Sequence, residues 1–455
     1  MDANTEPRRV LGNDEIREIL VTRVDQQQQA TGIAVGLVDH TGRRAITYGH
    51  PAKGDLRTID GDTIFEIGSL SKVFTALLLA DMVQRHEVSL EDPAAAYLPD
   101  SVRLPARDGR VITLLDLATH RSGLPSLPGN LVPQDLRNPY AGYSVENLYQ
   151  FLNGYTLPRD PGSGYEYSNL GAGLLGHVLG CRAGVDYETL VRTRITEPLG
   201  MPDTAITLSA SMAQRMAIGH DALLVPVSNW DMPTLAGAGA LRSSINDLMT
   251  FLEACLGYRE SPLAPAMSAM LDVRRPVGST PLAVGLGWHR LGTGAWHSGG
   301  TGGFRSFMGF DPNKRSGVAV LANAFTLAGV DDIGGHIGNP SVPLASPARP
   351  AASALATERC AIDLSPEVLD RYTGHYQLAP TRTFVVTRAG DRLFAQVFAE
   401  SISGPTFELS AESETRFFVK ETGSQITFEL GADARATMLR MHRQGREPVT
   451  ASRVP

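Results

Sequence analysis

The feature that most constrains the fold is the stretch from Leu70 to Val83, rich in good helix formers and almost free of polar breaks. A helix that is apolar nearly all round cannot lie on a surface, so other elements must enclose it. Its polar exceptions fall in and just before its first turn, in Phe65-Glu66-Ile67-Gly68-Ser69-Leu70-Ser71-Lys72, a loop feeding the helix. Ser69 and Lys72 are three apart, so on a helix they share a face and their side chains can meet. A buried ammonium is costly unless paired, and its pKa falls. A lysine held that way can take the proton of a neighbouring hydroxyl, which is otherwise a weak nucleophile. Free backbone N–H groups at a helix start favour the negative charge that grows as such a serine attacks. An ordinary reading stands beside this one, because serine caps helices and a lysine three residues on can reach solvent. Lysine usage weighs against it. The chain has four lysines (Lys53, Lys72, Lys314, Lys420) among 41 basic residues, and only Lys72 has a serine three positions before it.

At 455 residues the chain exceeds one ordinary domain. Apolar content of 42% and charged content of 20% are those of a globular protein, and a net charge of -7 argues against a nucleic-acid partner. Cys181, Cys255 and Cys360 are odd in number and far apart, which gives neither a disulfide framework nor a metal pattern. The eleven histidines form no H-E-x-x-H and no close pair, so no metal or other cofactor is expected. No apolar run approaches a membrane span. The opening residues, Met1 to Arg9, lack an apolar stretch. That fits a cytoplasmic protein as numbered, or a periplasmic one from which a leader has been removed.

An amphipathic helix is expected from Glu15 to Gln28, then a strand over Gly32–Val38, a turn at Asp39-His40-Thr41-Gly42 and a return strand over Arg43–Tyr48. Thr113 is a candidate N-cap for a short helix that Gly123 ends, with His120 ordering its turn by hydrogen bonding. A proline- and glycine-rich loop delivers Tyr165-Glu166-Tyr167-Ser168-Asn169 to a glycine-rich helix. Ala236 to Ser244 reads as a small-residue turn with a structural role, and Ser244 with Asp247 has capping-box spacing. From Trp288 the pattern turns to strands, with Trp296-His297-Ser298-Gly299-Gly300 leading to hairpins. Helices combined with antiparallel hairpins from both ends make an α+β fold. The expected domains are a catalytic one over residues 1–340, a Pro/Ala-rich linker over 341–364, and a small antiparallel barrel of closely spaced strands over 365–455.

Three motifs then belong together: Ser69-Leu70-Ser71-Lys72, Tyr167-Ser168-Asn169 and His297-Ser298-Gly299-Gly300. Acyl transfer needs a nucleophile, a proton shuttle, a group to position the acyl amide and an oxyanion hole. Ser69 and Lys72 supply the first and part of the second. Tyr167 can act as acid or base if nearby cations lower its pKa, and Asn169 offers both a donor and an acceptor. Glycines at 299 and 300 allow close backbone approach. No G-x-S-x-G occurs, so a nucleophile elbow is absent.

In these motifs, their order and their spacing the chain resembles the class C β-lactamase family, which includes D-alanyl-D-alanine peptidases, D-amino-acid-specific peptidases and carboxylesterases. Ser122-Gly123-Leu124-Pro125, Glu197-Pro198-Leu199-Gly200-Met201 and Thr301-Gly302-Gly303-Phe304 add to the likeness, which covers roughly residues 12 to 340. Tyr372-Thr373-Gly374-His375-Tyr376 is similar to the lipocalin-like barrel appended to some members. The resemblance implies a sandwich of an antiparallel sheet with helices, plus an all-helical lobe. It implies Ser69 as the acylated nucleophile, Lys72 as its activator and Tyr167 as the proton shuttle that also activates the deacylating water. Asn169 would hold the substrate amide, the N–H groups of Ser69 and Gly300 the oxyanion, and His297 and Ser298 the leaving-group side and its carboxylate.

Two positions depart from the family pattern. The third motif begins with His297 where class C β-lactamases have lysine, and a histidine only partly charged near neutrality anchors a carboxylate less firmly. Leu127 stands where those enzymes carry a substrate-binding glutamine. The expected function is acyl-enzyme hydrolysis of β-lactam amides together with esters. A carboxylesterase or D-alanyl peptidase with weak β-lactamase activity, and a non-catalytic penicillin-recognising sensor, are the alternatives. The rate should fall in acid as Lys72 and Tyr167 take up protons, and carboxylate-bearing substrates should lose affinity as His297 loses charge at higher pH.

Overall fold

The computed structural model describes residues 11–135, 137–326, 329–346, 361–379, 382–399, 402–419, 424–442 and 448–454. Helix α1 (Asn13–Val21) runs on into a wider π turn, Thr22–Gln26, and is followed by the hairpin β1 (Gly32–Asp39) and β2 (Gly42–Gly49). β3 (Ile64–Glu66) pairs with β4 (Arg242–Ser244) in a separate two-stranded sheet. The strands β5 (Arg275–Pro276), β6 (Ala283–Val284), β7 (His289–Leu291), β8 (Gly294–Gly300), β9 (Arg305–Asp311) and β10 (Ser316–Ala322) complete an eight-stranded sheet in the order β2-β1-β10-β9-β8-β7-β6-β5. Every neighbouring pair is antiparallel, and Val35 opposite Val320 marks where the two ends of the segment meet, as the hairpin pattern implied.

β1 is buried on both faces, which is why it reads as an unbroken apolar run. Ile33, Val35 and Leu37 pack with Ile16 and Leu20 of α1 and with Ile333 of the Asp331–Gly338 helix. Ala34 and Val38 point the other way, into the core that the Ile245–Cys255 helix shares with the helical lobe. Ser244 caps that helix by accepting the Asp247 N–H at 3.2 Å. The Asp247 carboxylate turns to the Thr204 hydroxyl and the Asp203 N–H instead of back to Ser244, so the expected box is half made.

The helical lobe holds α2 (Ser71–Gln84), α3 (Leu114–Ala118), α4 (Val145–Gly154) and α5 (Asn169–Ala183). α2 is buried on every side from Ser71 to Met82, as its composition requires. Thr113 caps α3 with a full reciprocal box to Asp116. α5 packs on α2 through the single helical turn Ala236–Gly239, where a Cβ on Gly176 or Gly237 would lie 3.0 Å from the other glycine's Cα. Only glycine allows backbones this close.

Past Leu364 the short Pro366–Leu369 helix leads into β11 (Gly374–Ala379), β12 (Arg382–Ala389), β13 (Arg392–Ala399), β14 (Ile402–Ala411), β15 (Arg416–Phe418), β16 (Gln425–Leu430), β17 (Ala436–His442) and β18 (Val449–Val454). These close into an antiparallel barrel in sequence order. Its interior is filled: Tyr372, Tyr376, Phe417 and Phe428 pack ring against ring, with Phe384, Leu409 and Leu439 in the same cluster. Most of the expected linker, Cys360 and the ten N-terminal residues lie outside the described residues. Cys181 and Cys255 are free thiols. Among the described residues no helix is long and apolar enough to cross a membrane, and no three His, Cys, Asp or Glu side chains gather as metal ligands.

Candidate active site

Ser69 lies in a 3-10 turn, Gly68–Leu70, that precedes α2 instead of in the first turn of α2 itself. Several bonds fix this turn. Ser306 Oγ donates to Ile67 O at 2.8 Å, the Ile67 N–H donates to Leu241 O at 3.1 Å, and the Leu241 N–H donates to Ser71 Oγ at 3.1 Å. The turn meets β8 backbone to backbone. A Cβ on Gly68 would lie 2.7 Å from Gly300 N, and one on Gly299 would lie 2.2 Å from Ile67 O and 3.0 Å from Ser69 N. Gly68 also has φ +49°, a conformation that glycine adopts at little cost. The two amides expected to face an oxyanion, those of Ser69 and Gly300, therefore come from elements in direct contact.

Lys72 is 4% exposed, and its Nζ meets three oxygens: Ser69 Oγ at 2.9 Å, Asn169 Oδ1 at 2.8 Å and Ala238 O at 2.7 Å. Burial pushes its pKa well below the usual lysine value, and among the described residues no carboxylate bonds to it. The identity of the oxygens matters. Two of them can only accept, and a neutral amine has two hydrogens to give them. Lys72 Nζ donates to Ser69 Oγ as an ammonium, and on losing its proton it leaves its lone pair for that same neighbour, whose hydroxyl can then donate. Ala238 O is available because it lies at the C-terminal end of the Ala236–Gly239 turn, where helix carbonyls lack internal partners. Asn169 is held at the start of α5, where Ser168 Oγ accepts the Gly171 N–H at 2.8 Å. The Ser168 N–H in turn donates to His120 Nδ1 at 3.2 Å, and His120 has φ +57°. His120 thus orders the turn that carries Tyr167 and Asn169.

Tyr167 stacks on His120 at 4.3 Å between ring centroids, with His297 at 6.3 Å and Lys72 Nζ 4.9 Å from its ring. Its hydroxyl is buried and makes no well-formed hydrogen bond among the described residues. Burial raises its pKa well above the usual tyrosine value, and interaction with Ser69 does not offset this. The condition of a pKa lowered by cations is therefore not met, because burial outweighs every neighbouring group. His297 also differs from expectation. It is 2% exposed, and burial, then His289, then Lys72, push its pKa well below 6.5, so it is uncharged near neutrality. His120 is pushed the same way by burial, Lys72 and His289. His289 falls to about 4 through burial and Lys72. His289 was missed in the sequence. It lies in β7 with its ring 5.2 Å from that of His297, and no local motif marks it.

Ser69, Lys72, Tyr167, Asn169, His297, Gly299 and Gly300 are thus brought together. Ser298 is on the same strand, but its hydroxyl bonds to the carboxylate of Asp331 in the Asp331–Gly338 helix. Leu127 is buried in the main core and offers no polar group. Asp331 and the carbonyl of Ala238 carried no sequence signal, the first because it is 33 residues from Ser298 and the second because it is backbone.

The family model described as Beta-lactamase matches residues 17–336. The chain belongs to the Beta-lactamase family. It is a serine hydrolase of β-lactamase type. A second model, described as a domain of unknown function (DUF3471), matches residues 358–451, over the barrel. Among relatives, the D-alanyl-D-alanine-carboxypeptidase/endopeptidase AmpH of Escherichia coli K12 is 30% identical over 312 residues, 64% of this chain and 79% of that protein. Penicillin-binding protein 4* of Bacillus subtilis is 26% identical and covers 85% of this chain and 87% of its own length. The solved Beta-lactamase/D-alanine Carboxypeptidase of Yersinia pestis superposes with a TM-score of 0.64 at 26% identity, covering 73% of this chain and 98% of that one. Within this β-lactamase-type hydrolase, Ser69 Oγ lies 2.9 Å from a buried lysine whose pKa burial lowers.

Proposed function

We propose that this β-lactamase-family protein hydrolyses esters and amides, β-lactam amides among them, through an acyl-enzyme on Ser69. The bonding around Lys72 carries this reading: a buried amine with two acceptors to satisfy its hydrogens and one serine hydroxyl left to deprotonate. Lys72 takes the Ser69 proton as Oγ attacks the carbonyl carbon. The N–H groups of Ser69 and Gly300 hold the oxyanion. As the tetrahedral species collapses, Tyr167 Oη gives its proton to the leaving group and regains one from the Lys72 ammonium. A phenol kept protonated by burial suits this donor role. In deacylation a water loses its proton along the same Tyr167–Lys72 pair, and that proton returns to Ser69. Asn169 fixes Lys72 through Oδ1 and presents its amide toward the acyl group. His297, Ser298 and Gly299 form the wall on the leaving-group side. Residues 1–340 are the catalytic unit, 341–364 the connection and 365–455 the barrel.

A second reading, D-alanyl peptide cleavage, is favoured by the likeness to AmpH, whose name states that activity. A panel of nitrocefin, a short p-nitrophenyl ester and a D-alanyl-D-alanine peptide separates these substrates. Ser69→Ala should abolish every turnover and remove the acyl adduct seen by mass spectrometry. Persistence of any of these turnovers in Ser69→Ala overturns the mechanism.

A further inference from the structure

We propose that this protein carries a second binding site, a cavity behind the catalytic turn that takes a small apolar carboxylate and raises turnover at Ser69 when filled. The cavity holds about 310 Å³. That is twice the ~150 Å³ that accepts benzene in a protein interior, so a phenyl ring with a short chain fits. It lies between α6 (Tyr187–Val191), the π turn that follows (Arg192–Thr196), the bend at 200–202, and Thr204 with Ala205. Val191, Met201, Pro202, Ala205 and Leu241 supply its apolar walls. Ser69, Lys72, Tyr167 and Asn169 do not line it, so it is separate from the catalytic cleft.

The charged groups at its mouth favour an anion. Glu188 spends both oxygens on the neighbouring loop, accepting the N–H groups of Ile206 and Thr207 at 2.9 and 2.6 Å and the Thr207 hydroxyl at 2.7 Å. Glu197 is paired with Arg192 at 2.5 Å, and both side chains are more than half exposed. An exposed pair of this kind is worth little and opens readily to a ligand. Arg259 is the unpaired cation. Its Nη2 lies 3.1 Å from where a Cβ on Gly200 would stand, which sets the guanidinium over that glycine at the edge of the cavity. Among the described residues this guanidinium makes no hydrogen bond or ion pair. A carboxylate on an apolar body would satisfy Arg259 and the walls together. A neutral ligand leaves the cation unused, and an ammonium meets it as a like charge.

Two links join the cavity to the catalytic machinery. Leu241 closes its inner end, and the Leu241 backbone holds the residues on either side of Ser69. Its carbonyl accepts the Ile67 N–H and its N–H donates to Ser71 Oγ, both at 3.1 Å. The second link runs through α6, which begins at Tyr187, whose Oη meets Thr75 Oγ1 of α2 at 2.7 Å. Thr75 Oγ1 in turn donates at 2.8 Å to Gly237 O, and the next carbonyl, Ala238 O, accepts from Lys72. An occupant packed between Leu241 and Val191 braces both links. A turn held in place spends more time in the geometry from which Ser69 attacks.

The test uses the full chain, titrated by calorimetry with 4-phenylbutyrate, 4-phenylbutyramide and 4-phenylbutylamine while saturating phenylboronic acid occupies Ser69. The expected result is saturable binding of the acid with Kd below about 1 mM. The amide should bind about fivefold more weakly, and the amine no better than the amide. Arg259→Ala should bring the acid down to the level of the amide, and Arg259→Lys, which keeps the charge, should recover most of the loss. Ala205→Phe, which fills the cavity, should remove binding; if that protein does not fold, Arg259→Ala still decides. Without the boronate, saturating acid should raise kcat for a p-nitrophenyl ester by about fivefold. No saturable binding, or equal binding of acid and amide, overturns the site. Binding with an unchanged kcat overturns its coupling to Ser69. That coupling rests on the acyl-enzyme reading above, whereas the titrations do not. If no ester is hydrolysed, the acyl-enzyme reading fails, and the site stands or falls on the order of affinities.

Discussion

Gly299→Ala tests whether contact between the Ser69 turn and β8 builds the site. The new Cβ would lie 2.2 Å from Ile67 O and 2.3 Å from Ser306 Oγ, where ordinary contact begins at 3.4 Å. The serine can rotate away, at the cost of its 2.8 Å bond to Ile67 O. The backbone oxygen cannot, so turn and strand must separate by about 1 Å, a misplacement that costs about 10²-fold in rate. Overpacking of this kind destabilises by about 1–3 kcal/mol, small enough for a protein of this size to stay folded. Because Ser69 N is 3.0 Å from the same point, the separation opens the oxyanion hole itself. The expected result is a loss in kcat of about 10²–10³-fold, the scale of one lost oxyanion donor, with KM little changed. Ester turnover and a melting curve measure the two effects separately. Gly294→Ala, in the same strand, is the control, since its Cβ meets only Leu291 O at 3.4 Å. A folded Gly299→Ala protein with wild-type kcat would refute the reasoning.

Lys72→Arg keeps a long cationic side chain but cannot deprotonate, so it should lose as much as Lys72→Met, about 10²–10⁴-fold in kcat; near-normal turnover in Lys72→Arg would rule out the base role. The pH–rate profile should rise through the lowered Lys72 pKa to a plateau above it, because Lys72 works when neutral and Tyr167, raised by burial, stays protonated. His297 is neutral at and above pH 7, so KM for a carboxylate-bearing ester should not drift with pH there; a drift lost in His297→Ala would restore its charge to the mechanism. Glu66, raised from 4.5 to about 7 by burial against the pull of Arg242, holds its proton more tightly folded than unfolded. The resulting stability is full below pH 4.5 and is lost as pH rises to about 7, a change of about 3 kcal/mol. Denaturant unfolding across that window should show the slope in the wild type and a flatter one in Glu66→Gln; identical slopes would refute the assignment.

The sequence carried the parts of the fold that repeat along the chain or depend on local chemistry. The apolar run of α2 required full burial, Thr113 with Asp116 marked a helix start, and the β1–β2 turn was readable from Asp39 to Gly42. It also carried the three motifs, since each is a short string with its own chemistry. Contributions from backbone or from distant chain were not legible. Ala238 lends a carbonyl, which any residue has. His289 matters through a neighbour eight residues on, and Asp331 through one 33 residues back. Ionisation was misread for one reason throughout: a residue type gives the reference pKa, and burial sets the departure from it. His297 and Tyr167 shift in opposite directions, yet both become neutral, because the same desolvation disfavours whichever form is charged.

In the mechanism proposed above, that shared neutrality lets one lysine serve as a base without a dedicated acid to tune it. A carboxylate beside Lys72 would hold it as an ammonium and end its use as a base. The groups around it are instead imidazoles, a phenol, an amide, a hydroxyl and a carbonyl. The close packing of Gly176 on Gly237 brings the carbonyl among them into range, since any side chain there would push the Ala236–Gly239 turn off α5 and take Ala238 O with it. Gly237→Ala should therefore act on the base without touching the substrate. With Ala238 O withdrawn, one Lys72 hydrogen turns to Ser69 Oγ, and the lone pair no longer faces the hydroxyl. The acid limb of the pH–rate profile reads this directly: a moved or flattened limb, with boronate binding kept, is the expected outcome. A Gly237→Ala protein that loses kcat uniformly at every pH would mean the turn only supports the fold.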